Sequence, residues 1–394
     1  MDKKNLVIFF GGKSVEHDVS IITGTQAIQN ADPQKYNIFP IYTSQKGEFY
    51  FVEKNIDAEK FFQKIFAMRN SVLIDMSKGE LIFKKKLLSN FISKKIKIDV
   101  AFPTFHGTYG EDGSFQGLFE VANVPYIGSG VAASAIGMNK NLFKKLMEFH
   151  KIPILPWQTV TKWNFTKDFQ LKFEYPLIVK PVNLGSSIGV KKVNNFNEFK
   201  EALEIIFNLD FEALVEPYLE NMMEINCSVL GSKAKQDVSV CEQPVSAKKI
   251  LSFEDKYLKG GKKIKVQGMA SQDRRIPAHL TNEQTYLIQN LAKNVFQYCE
   301  CSGVARVDFM IDKDAQKIYV NEINTIPGSL SFYLWEASGI SFQELIDRLV
   351  DIAIRENVEK NSIQRVFKSP LIEKYLKTNS NKDQEVHSES VSHH

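Results

Sequence analysis

The strongest constraint on the fold lies at the start of the chain, where the apolar run Leu6 to Phe10 passes into Gly11-Gly12-Lys13-Ser14 and then into the helical pattern Val19 to Gln29. A glycine turn lets a buried strand feed a helix directly, so this is the opening of a parallel α/β sheet. Asp99 to Phe102 reads as a later strand of the same sheet, and it ends in the glycine-rich loop His106 to Gly113. Ligands of such sheets collect beyond the carboxyl ends of the strands, which makes the loop opening at His106 a candidate substrate contact. Between these strands, Val52 to Ile98 is lysine-rich and weakly patterned and is read as decoration.

The rest of the composition narrows the class. A chain of 394 residues predicts two or three domains at roughly 150 residues each. Basic residues number 50 against 46 acidic, a formal net charge of +4, which is too balanced to point to nucleic acid. Local runs such as Lys84-Lys85-Lys86 and Lys262-Lys263 read as solvated surface. The run Leu6 to Phe10 is shorter than the ~7–15 residues of a signal-peptide core. Nothing approaches the ~18 apolar residues of a membrane span, so no membrane association is expected. Cys227, Cys241, Cys299 and Cys301 include no Cys-x-x-Cys pair, so neither a disulfide framework nor a zinc site is indicated, and a cytosolic setting fits.

A second unit starts with the helix Lys140 to His150, which stops ahead of Pro153. Pro176 to Pro181 reads as a strand, Gly185 to Val190 as a small-residue loop, and Asn197 to Phe207 as a helix. Lys180, at the end of its strand, and Lys140, at the start of its helix, can point into one cleft. The loop Gly185 to Gly189, with Ser186 and Ser187, offers the N–H and hydroxyl donors that cradle phosphates, or is simply a turn. It lacks the Gly-Lys-Ser/Thr ending of a P-loop and the Gly-x-Gly-x-x-Gly of a dinucleotide fold. After the strand Ala213 to Val215, Glu216 and the backbone of Tyr218 and Leu219 can meet a purine edge, with Glu224 left for the ribose; solvent-facing acids at a strand end are the other reading.

A third unit begins near Cys227. Along Gly303 to Ile311, alternation puts Val304, Arg306, Asp308 and Met310 on one face and Ala305, Val307, Phe309 and Ile311 on the other. In the next strand Ile318, Val320, Glu322 and Asn324 share a face. Pairing Asp312 with Ile318 across a hairpin sets Asp308 opposite Glu322, with β-carbons about 4.5–5.5 Å apart. Two facing carboxylates need a cation or a shared proton. Asp308, Glu322 and Asn324 offer the oxygen donors that suit magnesium, and Arg306 on the same face would neutralise charge on a transferred group. The bland alternative is an exposed hairpin with solvated acids.

These residues also carry a resemblance. Phe10 to His17, His106 to Gly113 with Gln116-Gly117, Pro125 to Gly130, Gly185 to Val190, Ala305 to Phe309 and Asn321 to Gly328 stand in the order and spelling of D-alanine–D-alanine ligases, which the chain resembles from Phe10 to Gly328. The resemblance implies an α/β chain, α+β in its C-terminal part, with the three-domain ATP-grasp architecture. Its domains would be 1–137 (an N-terminal parallel α/β sheet holding the first D-amino acid), 138–226 (the central ATP-grasp part) and 227–360 (the C-terminal ATP-grasp and metal-binding part), with a polar tail, 361–394, lacking fixed structure. It implies ATP and two magnesium ions, for which manganese can stand in, held by Asp308, Glu322 and Asn324. Lys140, Lys180 and Lys256 would touch phosphates, and Glu216 and Glu224 adenine and ribose. Glu16 would bind the ammonium of the first D-alanine and, with Ser186 and Tyr257, form a hydrogen-bonded set. Arg306 and the N–H of Gly328 would stabilise the oxyanion. An acyl phosphate hydrolyses readily, so a cover is needed, and Ala247 to Gly261 is the candidate lid.

The implied activity is ATP-dependent joining of two D-alanine molecules for peptidoglycan precursors, by a homodimer in the bacterial cytoplasm. One departure bears on the second substrate. Leu330 and Tyr333 stand where the family has a threonine and a serine, and the serine helps hold the second carboxylate. Ser331, Tyr333 and Leu334 are therefore the candidate contacts of the second substrate. The alternative is a sister ligase that takes D-serine, D-lactate or another acceptor.

Overall fold

The computed structural model describes residues 2–54, 57–64, 71–87, 90–166, 168–245, 274–364 and 369–376. The opening pattern folds as its apolar run dictates. β1 (Lys4–Gly11) is buried from Leu6 onward and turns into α1 (His17–Asn30), followed by β2 (Tyr36–Thr43), β3 (Phe49–Phe51) and α2 (Ala58–Lys64). β4 (Val72–Asp75), β5 (Glu80–Leu87) and β6 (Asn90–Lys97) then precede β7 (Val100–Pro103). The first sheet has the order β3-β2-β1-β7, with β1 parallel to both β2 and β7 and β3 an antiparallel edge.

The lysine-rich stretch read as decoration is an antiparallel sheet, β4-β5-β6. Val72 and Leu81 pack into a core shared with Phe9 and Ile41. Lysines between the apolar positions hide that pattern from a reading of the sequence.

α3 (Ser114–Ala122), α4 (Val131–Met138) and α5 (Lys140–Phe149) follow. Asn139 caps α5 by accepting from Leu142 N. β8 (Gln158–Thr161), β9 (Leu177–Pro181), β10 (Lys191–Val193), α6 (Phe196–Ile206) and β11 (Glu212–Pro217) form the antiparallel sheet β10-β9-β11-β8 with α6 packed on it. The last sheet, β14-β13-β12-β15-β16, is antiparallel. It is built from β12 (Met222–Gly231), β13 (Gln236–Pro244), β14 (Arg274–Arg275), β15 (Gly303–Asp312) and β16 (Lys317–Asn324), with α7 (Asn282–Tyr298) between β14 and β15. A 3₁₀ turn (Gly328–Ser331), α8 (Phe332–Ala337) and α9 (Phe342–Asn361) close the order.

Two cores fix this sheet. On one face α5 and α7 cover Ile225, Val229, Val307 and Phe309. All four cysteines lie in that core as free thiols. The second core joins β1, β2 and β7 to Leu345, Ile346 and Leu349 of α9.

The chain divides into two units, 1–355 and 356–394. Within the tail 361–394, expected to lack fixed structure, residues 371–376 are helical. Ser369 Oγ accepts from Leu371 N, and Pro370 supplies a preset first turn.

Candidate active site

Two clefts adjoin. The first is lined by Glu16, His106, Glu111, Arg306, Asn324 and Gly328. The second, about 810 Å³ of open space, is lined by Lys180, Ser187, Glu216, Tyr218, Leu219 and Glu224, with apolar walls from Ile178, Met222 and Met310. That size and lining suit a small planar molecule with a polar tail. Lys140, Gly185, Ser186 and Glu322 line both clefts.

The hairpin between them is β15–β16. Asp308 does stand opposite Glu322, but not by the simple register: Asp312 pairs with Lys317, Ile311 with Ile318 and Phe309 with Val320, and the ladder shifts before Asp308. Asn321 is the extra residue, a β-bulge. It corrects the strict alternation read from the sequence. Val320 lies in the core with Ile318 and Ile323, while Glu322 and Asn324 line the cleft. Arg306 grips Asp308 with both edges of its fork, Nε donating to Oδ1 at 2.6 Å and Nη2 to Oδ2 at 2.7 Å. Asn324 Nδ2 donates to Asp308 Oδ2 at 3.1 Å, and Lys140 Nζ stands 3.6 Å from Glu322 Oε2. Burial would lower the pKa of Arg306, but the Asp308 carboxylate outweighs it and holds the guanidinium firmly charged.

Glu16 reaches the first cleft from the turn before α1 and accepts a short hydrogen bond from Ser186 Oγ. Two glycines make room for it. A Cβ on Gly107 would sit 2.8 Å from Glu16 Oε2, and one on Gly185 2.9 Å from the same atom. Gly107 also has a φ of +76°, which side-chain-bearing residues rarely adopt. Ser186 and Ser187 are themselves left-handed, with φ of 53° and 59°, and Lys140 Nζ ties the loop by donating to Leu184 O at 2.6 Å.

In the second cleft Glu216 is flanked by two lysines. Lys180 Nζ holds its Oε2 at 2.6 Å, and Lys144 Nζ pairs with its Oε1. Burial pushes the Glu216 carboxyl up, yet the two lysines outweigh that and hold it at about 2. Lys144, fully buried, also donates to Leu155 O at 3.1 Å. Its position one turn beyond Lys140 on α5, on the same helix face, is the signal that marks it in the sequence.

Glu111 is the second residue not singled out from the sequence. Its carboxylate accepts from Gly107 N at 3.1 Å and Ile326 N at 3.0 Å, strapping the glycine loop to the segment after β16. Burial, and then the nearby Glu16, push it up to about 8. His106, hydrogen-bonded through Nε2 to Thr23 Oγ1 at 2.8 Å, is pushed down to about 3 by burial and then Arg306, so it is a neutral imidazole.

Tyr333, Ser331 and Leu334 are buried and line neither cleft. Leu334 packs with Val240 and Ile276. Tyr333 donates to Glu242 Oε1 at 3.0 Å. Lys256, Tyr257 and the candidate lid lie outside the described residues.

Against known proteins, residues 5–129 match the family described as D-ala D-ala ligase N-terminus, and residues 146–351 the one described as D-ala D-ala ligase C-terminus. The chain is 40% identical over 363 residues to the D-alanine–D-alanine ligase of Thermosipho melanesiensis, covering 91% of this chain and 96% of that protein. It is similar to the solved D-alanine–D-alanine ligase from Coxiella burnetii, with TM-score 0.74 and 28% identity over 96% of this chain and 100% of that one. The VanG D-Ala:D-Ser ligase from Enterococcus faecalis gives TM-score 0.72 and 28% identity over 89% and 100%. Both family halves match in order on a chain whose sheets bring the expected acids, lysines and glycines to one junction, and the chain belongs to the D-alanine–D-alanine ligase family.

Proposed function

We propose that this ATP-grasp enzyme joins two D-alanine molecules, at the expense of ATP, into the dipeptide used for peptidoglycan precursors. The observation that carries the reading is the junction of the clefts. Lys140, Ser186 and Glu322 line both, with Glu16 and Arg306 on one side and Lys180 on the other. A carboxylate is a poor electrophile, so the first D-alanine takes the γ-phosphoryl group of ATP, releasing ADP. The amine of the second D-alanine then attacks the acyl carbon and phosphate leaves. In this reading Glu16 holds the first ammonium, the second cleft holds the nucleotide with Lys140 and Lys180 on its phosphates, and Arg306 and the Gly328 N–H receive the developing oxyanion.

Asp308, Glu322 and Asn324 fit a hard divalent cation: all three offer oxygen, and the two acids face one another across the hairpin. Magnesium, or manganese in its place, would be held there as two ions and would neutralise phosphate charge. The reading also takes the three domains as 1–137, 138–226 and 227–360, with Tyr257 and Lys256 on a cover over the acyl phosphate, and the enzyme as a homodimer of the bacterial cytoplasm.

A sister reading, with D-serine or another acceptor, draws on the altered Tyr333 position and on the comparable likeness to a D-Ala:D-Ser ligase. Phosphate release with ATP, magnesium and D-alanine, set beside D-serine, D-lactate and L-alanine as second substrates, separates the two. Absence of D-alanine-dependent turnover would sink the leading reading. Glu322→Ala should abolish turnover with an unchanged circular dichroism spectrum; retained activity at ordinary magnesium would remove Glu322 from the metal site.

A further inference from the structure

The five-stranded sheet carries more polar structure than the chemistry above uses. Glu242 on β13 pairs in register with Asn226 on β12, Asn226 with Asp308 on β15, and Asp308 with Glu322 on β16. Residues directly opposite in antiparallel strands share a face, so these four form one row across the sheet. The nucleotide cleft meets the row at its Glu322 end. The opposite end is Glu242, only 1% exposed, which accepts from Asn226 Nδ2 at 2.9 Å, Tyr333 OH at 3.0 Å and Arg274 Nη1 at 2.8 Å. The Arg274 guanidinium lies over the Tyr333 ring, its Cζ 3.9 Å from the centroid, with a side chain 9% exposed. Glu242 and Tyr333 thus fix one rotamer of a long side chain at the end of the row remote from ATP.

The cations of this face are distributed along the same line. Lys140 and Lys180 stand at the nucleotide end, Arg306 in the middle on Asp308, and Arg274 at the far end. With the acyl phosphate formed in the middle and phosphate leaving toward the nucleotide, the second amino acid must come from the Arg274 side, bringing a carboxylate. A planar guanidinium matches a carboxylate with two parallel N–H bonds and is the side chain suited to that recognition. Two residues before Tyr333 in the chain, Ser331 Oγ is buried without a hydrogen-bond partner among the described residues.

We propose that Arg274, held on Tyr333 by Glu242, is the residue that makes this enzyme require a carboxylate on its second substrate. The proposal rests on the ligase reading above. D-alaninamide offers the same amine without the charge, and it cannot serve as first substrate because it has no carboxylate to phosphorylate. One reaction mixture with ATP, magnesium, D-alanine and D-alaninamide yields D-alanyl-D-alanine and D-alanyl-D-alaninamide, separated by mass spectrometry, and their ratio reports acceptor preference. Arg274→Met should lower that ratio by about ten- to a hundredfold, the worth of a hydrogen bond to a charged group, chiefly through the D-alanine acceptor KM.

A merely structural role would slow both products together and leave the ratio unmoved, which overturns the proposal. Should Arg274→Met fail to fold, Arg274→Lys keeps the charge and loses the fork; its ratio should still fall about tenfold, and an unchanged ratio overturns the proposal equally. Lack of any D-alanine turnover by the unmodified enzyme would instead refute the ligase reading, before any substitution is made.

Discussion

Glu111 shows how a largely enclosed acid next to another acid ties stability to pH. Its carboxyl titrates near 8 in the folded chain against the ordinary 4.5, because burial and then Glu16 oppose its charge more than the N–H groups of Gly107 and Ile326 favour it. Between those values the folded chain holds a proton that the unfolded chain has released. The contribution is therefore fully present below about pH 4.5 and is lost as pH rises through about 8, at up to about 1.4 kcal/mol per pH unit. Glu111→Gln removes this titration. Urea midpoints measured from pH 5 to 8 should decline less steeply for the variant than for the parent, and parallel curves would take Glu111 out of the pH dependence. Residues of this kind were only partly legible. Glu16, Lys140, Lys180 and Arg306 sit at ends of elements and in motifs that announce them. Lys144 is marked only by its helical spacing from Lys140, whereas Glu242 and Arg274 are brought together by strand pairing across a long separation and carry no local mark.

At the level of elements, the β15–β16 hairpin was readable because period-two alternation places an acid on each strand and glycine and aspartate punctuate its ends. Its bulge is marked only indirectly: Val320 and Glu322, two positions apart, cannot both face the same way when one belongs to a core and the other to a polar cleft. Asn321 resolves that conflict by standing between them outside the ladder, and its Oδ1 accepts from Lys180 Nζ at 3.3 Å. Deleting Asn321 should leave Val320 opposite Phe309 and Glu322 opposite Asp308 on their present faces, so the fold should survive. What is lost is one partner of Lys180. The expected result is a rise in ATP KM of about three- to tenfold with a smaller change in kcat. An unchanged ATP KM in a folded deletion variant would show that the bulge serves the hairpin alone.

For the molecule as a whole, the parallel opening sheet, the hairpin of the closing sheet and the ordered motifs are legible, while the β4–β6 sheet is obscured by lysines and the helix at 371–376 by the polar tail around it. The consequence of bringing these parts together is that two ligand clefts share a wall. Ser186 hydrogen-bonds to Glu16 of the first cleft, and the same loop, through Ser187, lines the second; Lys140 ties that loop at Leu184 and also faces Glu322. A nucleotide that orders this loop thereby prepares the partner of Glu16, so ATP and the first D-alanine should bind cooperatively. Linkage requires the coupling to be equal in both directions, and typical values of 1–3 kcal/mol correspond to about 5- to 150-fold. Calorimetric titration of D-alanine with and without a non-hydrolysable ATP analogue and magnesium, and of the analogue with and without D-alanine, should give the same factor in both pairs of experiments. Ser186→Ala should reduce that factor toward one while leaving analogue affinity in the absence of D-alanine within about twofold, since the hydroxyl's partner in the structure is Glu16. Independent binding in the parent protein, or full coupling retained in Ser186→Ala, would mean that the shared loop does not transmit one ligand's presence to the other.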